Sequence, residues 1–71
     1  MSLATIPSTK PTPREVAIMW HVREGNSKGQ VARLLGISSS TVSRHMDNLY
    51  RKLDVHNARQ CLRKMEHQGW L

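Results

Sequence analysis

Four short polar residues each stand at the head of a run with helical period, and they limit this chain to a few short helices. In Thr12-Pro13-Arg14-Glu15 the hydroxyl suits a cap, Pro13 suits the first helical position, and Glu15 can reach back to complete a capping box. Ser27-Lys28-Gly29-Gln30 is a second capping box, and Asn57-Ala58-Arg59-Gln60 repeats the pattern. Ser38 heads the remaining run, with Ser39, Ser40 and Thr41 in its first turn. Gly25, Gly36 and Gly69 stand where three of the helices should end, since glycine tolerates the left-handed turn. The expected fold is all-α, with helices at about 12–24, 28–35, 38–53 and 57–68. Residues 1–11 carry two prolines and no period, which predicts a flexible arm or linker before one domain at 12–71.

Periodicity then divides the faces. In the first helix Ile18, Met19 and Val22 fall on one side, and Val16 and Trp20 on another. The apolar residues of the second are Val31, Leu34 and Leu35. The third has a narrow stripe of Val42, His45, Met46, Leu49 and Leu53. Ser40, Arg44, Asp47 and Arg51 lie opposite that stripe, with Ser43 on its shoulder. In the fourth, Ala58, Cys61, Leu62 and Met65 share one face, and Arg59, Gln60, Arg63 and His67 the other. A chain of 71 residues builds a core near the lower limit for folding without staples.

The second helix, a turn at Gly36 and the third helix form a helix-turn-helix. With its apolar stripe packed inward, the third helix would present its polar face to a DNA major groove. Charge agrees. The chain carries a net +6, and residues 26–53 hold Lys28, Arg33, Arg44, Arg51 and Lys52 against Asp47 alone, or +4 of it. Excess positive charge favours a polyanionic partner through steering and counterion release. The hydroxyl block Ser38–Thr41, set at a helix N-terminus, reads as a phosphate clamp as well as a cap.

The stretch TPREVAIMWHVREGNSKGQVARLLGISSSTVSRHMDNLYRKLDV resembles the LuxR/FixJ/NarL type of bacterial transcription regulator. The resemblance rests on Thr12, Arg14 and Glu15 (T-x-R-E), on Gly25 and Ser27, and on Val31-Ala32 and Leu35-Gly36-Ile37-Ser38. Further along it rests on Thr41-Val42, His45 and Asn48, then Lys52-Leu53 and Val55. It implies a four-helix domain that binds DNA, usually as a dimer on inverted half-sites, with the third helix reading the bases. Carried over by position, Ser43, Arg44 and Asp47 would face base edges, and Lys28, Ser38, Ser40, Thr41, Arg51 and Lys52 would meet phosphate. The fourth helix, through Cys61, Leu62 and Met65, would supply a dimer contact. Because the core should use most of that stripe, the expected dimer is weak.

The chain departs from the pattern at Ser43 and Asp47, where longer polar or basic residues are frequent, and at Gly29 and Ala58. Arg44 is then the expected reader, suited to guanine O6 and N7. Asp47 would accept from cytosine N4 or orient Arg44 or Arg51. A second reading, a protein-interaction module without specific DNA binding, draws on these same departures. Val16 and Trp20 are expected to form an exposed apolar patch for an N-terminal regulatory domain, a regulator protein or RNA polymerase; the alternative packs Trp20 on the tail.

His56, Cys61 and His67 lack the spacing of a zinc site, and no Ser/His/Asp set has a catalytic arrangement. No metal, cofactor or enzymatic activity is expected. His45 reads as a packed, hydrogen-bonded histidine. A single cysteine excludes an internal disulfide and suits a reducing compartment, and no stretch has the length of a membrane span. The expectation is a cytoplasmic protein.

Overall fold

Each of the four polar starts caps a helix. The structure, a computed structural model, describes residues 10–71. The helices are α1 (Pro13–Arg23), α2 (Lys28–Leu35), α3 (Ser39–Leu53) and α4 (Ala58–His67), with no strand among the described residues. Of the expected arm, residues 1–9 lie outside those described. Thr12 Oγ1 accepts from Glu15 N at 3.2 Å, and Glu15 Oε1 accepts from Thr12 N at 2.8 Å. Ser27 and Gln30 form the same reciprocal pair at 3.2 and 2.7 Å. Asn57 Oδ1 accepts from Gln60 N, but Gln60 Oε1 returns to His56 N, one residue upstream of the cap.

All four helices end alike. A backbone N–H just past each helix reaches a carbonyl five residues back: Asn26 to His21, Ile37 to Ala32, Val55 to Tyr50 and Trp70 to Met65, at 2.8–3.1 Å. That bond needs a left-handed residue in between. Gly25, Gly36 and Gly69 supply it, and after α3 it is Asp54, at φ 58°. Aspartate is among the few side chains that visit this region routinely.

The core holds Ile18 and Met19 of α1, Val31 and Ala32 of α2, Val42, Met46, Leu49 and Leu53 of α3, and Cys61 and Met65 of α4. Helices α1 and α3 each pack against all the others, and α3 supplies four of these ten core residues where each other helix supplies two, so it forms the axis of the domain. Val16, like Val22, packs partly buried on the core, and so leaves the expected exposed patch. Trp20 stays 46% exposed, with the Arg23 guanidinium 5.7 Å from its ring centroid. Trp70 packs on the core. Leu34, one of the three apolar residues of α2, is 60% exposed and not part of the core. At 100° per residue Val31, Ala32 and Leu35 share the inward side of a two-turn helix, and Leu34 falls outside it. His45 is half-buried, and no hydrogen bond among the described residues involves its side chain.

Two weak acids, the buried Cys61 and the half-buried Tyr50, make the domain sensitive to alkali. Burial pushes the Cys61 thiol up to about 11, with the Glu15 carboxylate adding to the effect. Burial pushes Tyr50 up to about 12, with Cys61 and Asp47 adding. Both native groups hold their protons above the ordinary values of 9.0 and 10.0, so the folded state binds more protons than the unfolded one in alkali. The contribution is whole below pH 9 and is lost as pH rises toward 11 and 12. We expect the urea midpoint to drop as pH rises from about 9 toward 12. An unchanged midpoint would show that neither group is held protonated by the fold.

Candidate nucleic-acid interface

The αL glycine at 36 turns the chain so that α3 starts soon after α2 ends. The stripe of α3 faces the core, and this leaves Ser39, Ser40, Arg44, Asp47, Asn48 and Arg51 exposed on the outer side. Ser43 is half-buried on the shoulder. Three of the four hydroxyls at the start of α3 form a cluster around Ser38 Oγ. It accepts from Thr41 N at 3.1 Å and shares hydrogen bonds with Ser40 Oγ at 3.1 Å and Thr41 Oγ1 at 2.8 Å. Lys28 is exposed on the first turn of α2.

Ion pairs join Arg23 to Glu66 at 3.2 Å and Lys52 to Glu15 at 2.8 Å. Among the described residues Asp47 pairs with neither Arg44 nor Arg51. The outer face of α3 thus carries two arginines and one carboxylate, with no ion pair between them.

Several expected residues stand elsewhere. Lys52 turns away from the outer face. Its ammonium is held by a carboxylate that is 5% exposed, and it also donates to the Lys10 carbonyl at 3.2 Å. An amino group held this way is not set out for phosphate. Sequence reasoning took Glu15 as a cap and missed this second role, which only the fold brings about across 37 residues. Cys61 and Met65 have no exposed surface, and the Cys61 thiol donates to Met65 Sδ at 3.7 Å. They belong to the core and not to a dimer surface, because the stripe of α4 faces inward. Leu62 alone of the three is half-buried.

An open hollow of about 560 Å³ lies between the α3–α4 turn and α4, lined by Val55, His56, Gln60 and His67 among others. Among the described residues no three His, Cys, Asp or Glu side chains are grouped to hold a metal ion. No described helix is long and apolar enough to cross a membrane.

A capped two-helix unit whose second helix shows a cationic, hydroxyl-headed face is a helix-turn-helix of the DNA-binding class. The family described as bacterial regulatory proteins, luxR family, matches residues 12–65, and the chain belongs to that family. That family is one of bacterial regulatory proteins, not a class of enzyme. It is 43% identical over 53 residues to the transcriptional activator protein CarR of Pectobacterium carotovorum, covering 75% of this chain and 22% of that protein. It is 41% identical over 51 residues to the CsgBAC operon transcriptional regulatory protein of Escherichia coli, covering 72% and 24%. It is 44% identical over 46 residues to the nitrate/nitrite response regulator protein homolog of Haemophilus influenzae, covering 65% and 22%. The chain spans under a quarter of the length of these relatives. No solved structure matches it significantly.

Proposed function

We propose that the domain reads double-stranded DNA with α3 in the major groove, as the DNA-binding part of a bacterial transcription regulator. Arg44, Asp47 and Ser43 face base edges. Ser38, Ser40 and Thr41 receive one phosphate at the start of α3, and Lys28 and Arg51 meet the backbone on either side. The observation that carries this reading is the outer face of α3, where two arginines stand exposed and, among the described residues, without an ion-pair partner beside the hydroxyl cluster. Leu62, flanked by exposed Arg59, Arg63 and Glu66, gives α4 a small self-contact, so two copies associate weakly and DNA holds them together. Trp20 offers a surface to a further domain of the regulator or to RNA polymerase. The compartment is the cytoplasm, where bacterial DNA lies.

The test is selection from a randomised duplex pool, followed by a salt titration on the winners. The expected product is an inverted repeat with half-sites about one helical turn apart. Steep salt dependence with no enriched sequence would overturn base reading and leave contact with the backbone only.

A further inference from the structure

The apolar packing of α3 holds it in the domain without fixing its register closely. Hydrophobic contact is non-directional. Three methionines, Met19, Met46 and Met65, line the core, and their unbranched side chains adapt to small shifts. Base reading needs far tighter placement, within about 0.5 Å. Directional contacts supply it: Lys64 Nζ of α4 donates to the carbonyl of Leu53 at the end of α3 at 2.7 Å, and a charged pair ties α3 to α1. Glu15 Oε1 is held at the start of α1 by Thr12 N–H at 2.8 Å, and the same oxygen accepts from Lys52 Nζ at 2.8 Å. Lys52 Nζ also reaches the carbonyl of Lys10, so one ammonium fastens α3 to α1 and to the chain entering the domain. Glu15 is 4% exposed, and a carboxylate so buried needs its partner at all times. Lys52 lies two turns from Arg44 on one continuous helix, which carries the constraint rigidly to the reading face.

We infer that Glu15 and Lys52 are positioning residues for DNA reading, a polar lock that sets where α3 stands on the domain, and that Lys52 touches no phosphate. The inference rests on the DNA-reading proposal above. Its test is the double variant Glu15→Gln, Lys52→Met, which removes both charges together and leaves no buried ion unpaired. Melting by circular dichroism establishes that it is folded. Binding is then measured on the selected duplex and on a random duplex, each across a salt series.

The lock predicts that affinity for the selected duplex falls about tenfold. It also predicts that affinity for the random duplex stays within roughly twofold and that the salt slope is unchanged. Equal losses on both duplexes, with a slope smaller by about 0.9, would make Lys52 a phosphate contact and overturn the inference. A folded double variant that keeps the wild-type ratio would show the pair to be structural only, and would overturn it too. Lys52→Arg, which retains the charge, keeps most of the ratio if the lock operates. Should the double variant melt too low, its binding to both duplexes is measured at a temperature well below its melt, with the same outcomes deciding. A wild-type protein that selects no sequence would instead bring down the DNA-reading proposal, a result the variants do not affect.

Discussion

Leu49→Ala is expected to lower the melting temperature of the domain by about 10 °C or more. Leu49 has no exposed surface and lies on α3, the helix that supplies more core residues than any other and packs against the other three. Truncating a fully buried leucine costs about 2–5 kcal/mol, the transfer term plus the cavity left behind. A domain of 71 residues has about 4–11 kcal/mol in total, on a typical 0.05–0.15 kcal/mol per residue. In a domain this small, each kcal/mol moves the melting temperature by roughly 4–8 °C. A thermal melt by circular dichroism should therefore fall by about 10 °C or more. Leu34→Ala is the matched control: the same deletion on the neighbouring helix, at a residue 60% exposed, should leave the melt almost unmoved. A Leu49→Ala melt within a few degrees of wild type would mean that α3 is not the axis of the core. The same helix carries the reading face, so core and function cannot be separated by trimming it.

The contrast between these leucines marks where sequence reasoning stops. Helix starts were legible because a cap is local chemistry: Thr12 and Glu15, or Ser27 and Gln30, find one another three residues apart whatever the rest does. The stripe of α3 was legible because fifteen residues hold several full turns. Helix α2 has eight, and with two turns the inward direction is set by its neighbours, so Leu34, grouped with the apolar residues, stands exposed while Ala32 is buried. The exposed face with Arg44, Asp47 and Arg51 followed from that stripe by opposition. Lys52 did not, since its partner lies on another helix and charge alone suggests phosphate. Asp54 gives the same lesson at a turn: the left-handed position after α3 is filled by a residue whose composition did not announce it.

Arg44 and Asp47 should respond to removal with opposite signs. Arg44→Ala is expected to lower affinity for the selected duplex by about 1–3 kcal/mol and to relax one base position, because an arginine that grips guanine O6 and N7 is lost together with its discrimination. Asp47 is different. Among the described residues it has no ion-pair partner, so on the free protein its carboxylate stands bare between two arginines on the outer face. Close to DNA it must accept from a base donor such as cytosine N4 or face the phosphates unscreened. It therefore acts by exclusion, rejecting duplexes that offer no donor at its position. Asp47→Ala should raise affinity for random duplex while narrowing the gap to the selected one. Measured side by side on both duplexes, Arg44→Ala lowers the selected affinity and Asp47→Ala lifts the random one. If Asp47→Ala instead weakened both equally, its carboxylate would be a structural support of α3, and selectivity would rest on Arg44 and its neighbours alone.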